Sequence, residues 1–343
     1  MNALRIHLEF RHLRRLGIAM GLALSVQAQA GAALTVYAAM GYDQHVTQAF
    51  TQATGIPVDL IHLSTGPLLA RVQAEGAHPQ WDVLWFDGNL PMRNFASRKM
   101  LACGWRPDVS YTPQGRALLP ADACYFPIGV TYAGVMLENT ARLAAAAQPR
   151  TWNDLLAPAL RGKVGMDNPA ISGPTYPFVA GMLQHLGQAP AQAWFERLKG
   201  NGLKVYPTNS VTLRALQYGQ IDVAIVQSSA ALGFAKGKSD LRIVAAPPSA
   251  ELPSDVAIGA QVHGKTLDDA RRFVAFVLSP AGQRAALEGD PSADSNDQPL
   301  LKGIEPLPTL RALHVEQALA LDPAVWGRRE PRVVSWFTTH VAR

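Results

Sequence analysis

Cysteine is nearly absent: the chain of 343 residues has two, Cys103 and Cys124. A disulfide-dense scaffold is therefore excluded. Charge is scarce too, at 17% of residues against 48% apolar, a balance too apolar for a disordered chain. Only one apolar run, near the N-terminus, suggests a membrane, which excludes a polytopic membrane protein. Catalytic signatures are also missing. There is no Gly-x-Ser-x-Gly elbow, no His-Glu-x-x-His and no Walker loop. The nine histidines lack metal-ligand spacing. A Ser/His/Asp triad could be picked freely from so many residues, and triads are defined by geometry. The chain therefore reads as a non-enzyme with no cofactor.

The net charge of +5 would suggest nucleic acid or an anionic surface. Its location removes that reading. Arg5, Arg11, Arg14 and Arg15 precede the apolar run Leu16–Val26, which closes on Ala28-Gln29-Ala30. A basic start, a short apolar core and a small-x-small site form a secretory signal peptide over residues 1–30. Cleavage after Ala30 leaves 27 of the 31 bases and 25 of the 26 acids, a net of +2. No cysteine stands at the cleavage site, so a soluble periplasmic protein is expected rather than a lipoprotein, with no nucleic-acid partner. In an oxidising compartment Cys103 and Cys124 read most simply as a disulfide, the alternative being a metal or catalytic thiol.

The chain beyond residue 30 alternates strand and helix. Strands are expected at 34–38, 58–61 and 81–86, with helices at 44–54 and 68–75 between them. The style repeats with strands at 163–166, 203–206 and 221–226 and helices at 176–186 and, following Thr208-Asn209-Ser210, up to 218. Strand-like runs at 129–137 and 256–262 bracket this middle block. An α/β fold of two lobes joined by two hinge strands follows. One lobe is 31–130 plus 257–285. The other, 131–256, is inserted into it. Helices are expected at 266–288, 310–321 and 333–341, and residues 286–343 are expected to pack on the inserted lobe.

Three loops leave strand ends and enter helices, where ligands sit in open α/β sheets. They are Ser64-Thr65-Gly66, Ser172-Gly173-Pro174-Thr175-Tyr176 and Gln227-Ser228-Ser229. Each offers hydroxyls and free N–H groups at a helix start, a ready oxyanion site. Each could equally be a simple N-cap. Asp87 ends the third strand, where a carboxylate suits an amine or a metal, or caps a turn.

Several stretches carry a family resemblance: LTVYAA at 34–39, FTQATGIPVDL at 50–60, STGPLLARVQAEG at 64–76 and WDVLWFDG at 81–88. GVTYAGVMLENT at 129–140, TWNDLLAPALRGKVGMDNPAISGPTY at 151–176 and FVAFVLSPAGQ at 273–283 extend it. The chain resembles the type II periplasmic solute-binding proteins of ATP-binding-cassette importers, in the cluster of ferric-ion, phosphonate and sugar-phosphate binders. The resemblance implies a two-lobed fold, a central ligand cleft, a membrane permease as partner and action as a monomer. Ferric binders of this family use an adjacent tyrosine pair where this chain has Ser228-Ser229. Hydroxyls are poor ferric ligands and good donors to an anion. The ligand expected is therefore a small oxyanion, a phosphonate such as 2-aminoethylphosphonate or a phosphate ester. The candidate site is Ala39, Ser64, Thr65, Gly66 and Asp87 on one lobe, with Ser172, Gly173, Thr175, Tyr176, Ser228 and Ser229 on the other. A ferric binder, with Asp87 as a metal ligand, and an exported enzyme on the same fold are the alternatives.

Overall fold

The computed structural model describes residues 32–289, 295–313, 315 and 318–343. The expected signal peptide lies outside the described residues, as does part of the polar loop after residue 289.

The first lobe opens with β1 (Leu34–Ala38), α1 (Asp43–Thr54), β2 (Val58–His62), α2 (Thr65–Glu75), β3 (Val83–Asp87) and α3 (Asn89–Ser97). β1 lies parallel between β2 and β3. It is apolar almost throughout because helices cover both its faces. α1 stops at Gly55, whose φ of 72° sets a left-handed cap while its N–H reaches Thr51 O at 2.8 Å. After α4 (Pro113–Leu118) comes β4 (Phe126–Ala133), and the chain then crosses into the second lobe.

That lobe runs β5 (Val135–Asn139), β6 (Val164–Asp167), α5 (Thr175–Leu186), α6 (Gln188–Gly200), β7 (Lys204–Tyr206), α7 (Asn209–Gln217), β8 (Val223–Val226), α8 (Ser228–Ala235) and β9 (Leu241–Val244). The chain returns through β10 (Ser249–Ile258), α9 (Gly264–Val277) and α10 (Pro280–Glu288). It ends with β11 (Gln298–Pro299), β12 (Ala318–Leu319) and α11 (Pro323–His340). Among the described residues one sheet has the order β11-β4-β10-β3-β1-β2, with β12 on β10, and the other β7-β6-β8-β5-β9. This is the two-lobed α/β architecture. The two crossings fall at Gly134 and at residues 245–248, between β9 and β10.

Local differences from the sequence reading have physical causes. The helix expected over 266–288 is two helices. Ser279 accepts a hydrogen bond from Gly282 N–H at 3.2 Å and Pro280 occupies the first turn, so a new helix starts there. Among the described residues the helix expected over 310–321 is not formed. Pro308–Ala312 make one short 3₁₀ turn, and Ala318–Leu319 pair with Ser249–Ala250 of β10 instead. The open edge of β10 supplies hydrogen bonds that a helix would otherwise provide. The strand expected at 256–262 runs instead from Ser249 to Ile258, because residues 250–256 pair with β4 and residues 254–258 with β3, which buries Ser249, Ser254 and Asp255 along it.

Each lobe has an aromatic core. Phe50 of α1 meets Phe273 of α9 edge-on at 5.1 Å, and Trp85 of β3 meets the same ring at 6.0 Å. In the second lobe Trp152 lies 4.7 Å from Phe178, and Phe195 lies 5.5 Å from Phe337 of α11. α11 also closes on the first lobe: a Cβ at Gly327 would lie 2.4 Å from Leu90 O on α3. The expected disulfide Cys103–Cys124 is present, joining positions 21 residues apart on the first lobe. On chain entropy such a bridge stabilises by about 3 kcal/mol.

Gly134 turns the first crossing with a φ of +78°, and a Cβ there would sit 2.1 Å from the Phe178 ring. Gly134→Ala combines left-handed strain with an overpacked ring contact, so it should cost roughly 2–4 kcal/mol. A lower urea midpoint at unchanged m-value would show this. An unchanged midpoint would mean that the crossing relaxes freely.

Candidate functional site

The strand ends of both lobes face one cleft of about 210 Å³. The first lobe supplies Ala39, Met40 and Gly41 after β1, His62, Leu63 and Ser64 after β2, Thr65 at the start of α2, and Asp87 at the end of β3. The second supplies Ser172, Gly173 and Pro174 before α5, Thr208, Asn209 and Ser210 around the start of α7, and Leu213 and Ala230. Three helices, α2, α5 and α7, thus direct their N-terminal turns at the same volume. Their dipoles favour an anion, although the first-turn N–H groups of α5 are already spent, Thr175 N–H on Ser172 O at 3.2 Å and Tyr176 N–H on Gly173 O at 3.3 Å.

The hydroxyls divide into two sets. Ser64 and Thr208 stand at helix N-cap positions, yet neither side chain accepts from the backbone of its helix. A serine used only as a cap would make that bond. Ser64 is half-buried and its hydroxyl is available to the cleft. Thr208 Oγ1 and Ser210 Oγ lie 3.1 Å apart. Ser172 differs. Its hydroxyl donates to Asp167 Oδ2 at 3.1 Å and its N–H to Asn168 O at 2.9 Å. Asp167, buried at the end of β6, also accepts from Thr212 of α7, and so ties the 168–174 loop to that helix.

The two lobes meet beside the cleft. Gly66 N–H donates to Ile171 O at 3.0 Å across it. A Cβ on Gly66 would fall 2.0 Å from Ala170 O, and one on Gly173 2.6 Å from Thr65 Cβ. Glycine is required at both places by close approach.

Two acids and one base set the electrostatics. Asp87 lines the cleft with its residue only 7% exposed. His62 Nδ1 lies 2.7 Å from Asp43 Oδ2, and Asp43 also accepts from Met40 N–H at 3.3 Å. That hydrogen bond holds the imidazole above its usual pKa range, against the opposing pull of partial burial. Asn209 Oδ1 is buried without a hydrogen-bond partner.

Of the residues singled out from sequence, the cleft brings together Ala39, Ser64, Thr65, Asp87, Ser172 and Gly173. Five do not line it. Gly66 is occupied by the interlobe contact. Thr175 is buried in the first turn of α5, and Tyr176 donates to Trp326 O at 2.6 Å. Ser228 and Ser229 are buried against β4. Ser228 Oγ lies 2.7 Å from Thr131 Oγ1 and accepts from Tyr132 N–H at 3.0 Å, while Ser229 Oγ accepts from Gln227 Nε2 at 2.7 Å. The cleft face of α8 is instead Ala230. Sequence reasoning missed His62 and Thr208–Ser210. The latter follow β7 in the same strand-loop-helix manner, so their signal was present. Nothing in the sequence separates His62 from the other histidines.

Residues 34–288 match the family described as bacterial extracellular solute-binding protein. The major ferric iron-binding protein of Neisseria meningitidis serogroup B is 26% identical over 274 residues, covering 78% of this chain and 82% of that protein. Among solved structures, iron-bound HitA from Pseudomonas aeruginosa is 25% identical with a TM-score of 0.72, covering 90% of this chain and 98% of its own. The periplasmic binding protein AfuA from Actinobacillus pleuropneumoniae, with exogenous fructose-6-phosphate bound, shares the fold at a TM-score of 0.78 and 21% identity. It covers 90% of this chain and 98% of its own.

The contact at Gly66 generates a prediction. In Gly66→Ala the methyl group holds the lobes apart, and small-angle scattering should give a radius of gyration above that of the unsubstituted protein. Equal radii under the same conditions would remove Gly66 from the closure contact.

Proposed function

The chain belongs to the bacterial extracellular solute-binding proteins, and from that membership we propose that it is the periplasmic substrate-binding protein of an ATP-binding-cassette importer. It takes a small oxyanion, a phosphonate such as 2-aminoethylphosphonate or a phosphate ester, and presents it to an inner-membrane permease. The observation that carries the ligand class is the convergence of three helix N-termini and the uncapped hydroxyls of Ser64 and Thr208 on one small cleft. Such a site replaces the hydration of an anion with fixed donors. Asp87 and the unpaired Asn209 Oδ1 give an amine or hydroxyl on the same ligand something to bond. We assign the lobes as 31–130 with 257–285 and the inserted 131–256, exported by residues 1–30 and acting as a monomer.

A ferric reading has the names of the Neisseria and Pseudomonas relatives in its favour. The donors argue against it. The lining holds one carboxylate and one imidazole but no tyrosine, whereas a ferric ion calls for several anionic oxygens. Among the described residues no group of three His, Cys, Asp or Glu side chains is placed to hold a metal.

Isothermal titration with 2-aminoethylphosphonate and with simple phosphate esters tests the oxyanion reading. Saturable heat from either supports it, and none from any of them removes it. Ser64→Ala should weaken that binding by about 1–3 kcal/mol, the loss of one bond to a charged group. Growth of a visible charge-transfer band on adding ferric ion to metal-free protein would favour the ferric reading instead.

A further inference from the structure

We propose that His62, oriented by Asp43, is a specificity-determining residue of the cleft: as an imidazolium it donates from Nε2 to the ligand headgroup and favours a dianionic phosphoryl or phosphonyl group over a monoanion. The inference deepens the oxyanion reading and rests on it.

Charge is the first argument. Among the described residues that line the cleft, His62 is the only side chain able to carry positive charge, since no lysine or arginine is present. Hydroxyls and N–H groups accept any oxyanion. A fixed cation adds attraction in proportion to ligand charge, so it separates a dianion from a monoanion.

Geometry is the second. Nδ1 is engaged by Asp43 at 2.7 Å, so Nδ1 keeps its proton in both states of the ring. Nε2 then decides the outcome. In the neutral ring it is a lone pair and repels an oxyanion, whereas in the imidazolium it is a charge-assisted donor. Asp43 can act as an orienting group because it is itself held. It is 3% exposed, opens α1, and accepts Met40 N–H with the same oxygen. The His62 side chain is 59% exposed, open to the cleft rather than buried in a core.

The groups around His62 agree with this role. α1 supplies Asp43, the acid that favours the imidazolium, and β3 supplies Asp87 to the same cleft lining. β1 pairs Ala38 with His62 in the strand register, and the second lobe lines the cleft only with neutral residues. The bond to Asp43 raises the imidazole pKa, which extends the charged form towards neutral pH. The sign follows: the favourable contact is complete below the raised pKa and is lost as pH rises through it.

Isothermal titration of the purified protein with fructose 6-phosphate and with 2-aminoethylphosphonate between pH 7 and 9 is the test. The ester's second ionisation lies near pH 6, so above pH 7 its charge is constant and a change in its affinity belongs to the protein. Affinity for the ester should fall about tenfold or more over this range, in line with the loss of a bond to a charged group. His62→Gln should bind the ester more weakly at pH 7 and show a nearly flat profile. Asp43→Asn should move the fall to lower pH. NMR titration of the unsubstituted protein should show the His62 pKa raised further by bound fructose 6-phosphate or 2-aminoethylphosphonate. A His62→Gln protein that binds either probe with unchanged affinity and slope overturns the role of His62 and leaves the oxyanion reading standing. So does a His62 pKa indifferent to bound ligand. Failure of both probes to bind the unsubstituted protein overturns the oxyanion reading and this inference together.

Discussion

Asp167 ends β6 with a carboxyl group almost wholly excluded from water. A polar group so placed is tolerated only when its oxygens are hydrogen-bonded. Ser172 and Thr212 supply those bonds, one from the loop before α5 and the other from α7. Two of the three helix N-termini that face the cleft are thereby held in one relation. The cost falls on Ser172, whose hydroxyl proton serves the scaffold and is not offered to the cleft, which keeps Ser64, Thr65, His62 and the 208–210 turn in its lining. A serine at a ligand-facing position is thus partly a structural residue, and only its partner reveals this.

The first lobe is organised by strand ends rather than by one buried acid. β1, β2 and β3 are parallel, so their C-terminal ends lie together and deliver Ala39, His62, Ser64 and Asp87 to one edge of the sheet. The second lobe meets that edge through Gly66 and Ile171. The contact is narrow and glycine-dependent, and two crossings connect the lobes behind it. Closure of such a pair is a population shift driven by whatever touches both faces. Ligand bonds to Ser64 on one side and to Thr208–Ser210 on the other would act in that direction. α11 adds a further restraint, since it contributes Phe337 to the second core while Gly327 lies against α3 of the first lobe.

The α/β alternation, both lobes and the disulfide pair were readable because each rests on local pattern or on compartment chemistry. Hydrophobic runs mark β1, β3 and β8 directly, β8 within Ile221–Val226 after Gly219. The C-terminal segment was less legible. The apolar residues of 310–321 suit a helix as well as a bridge to β10, and only the presence of an unpaired strand edge decides between them. The single helix expected over 266–288 breaks at Ser279-Pro280, where a capping serine followed by proline is itself a helix-start signal. Among site residues, the loops after β2 and β6 were found from their serines and glycines. The Ser228-Ser229 pair was chosen by the same logic and lies off the cleft.

By itself the sequence determined the secondary structure of the lobes, the family, and the residue types available to a ligand. Those depend on spacing and composition, which are local. It could not determine which hydroxyls are spent. Ser64, Ser172 and Ser228 look alike in the chain. One leaves its helix uncapped, one gives its proton to Asp167, and one is sealed against Thr131. The role of His62 was equally hidden, because Asp43 reaches it only when α1 folds against the end of β2. Hydrogen-bond partners distant in sequence are chosen by packing, and that choice belongs to the tertiary structure alone.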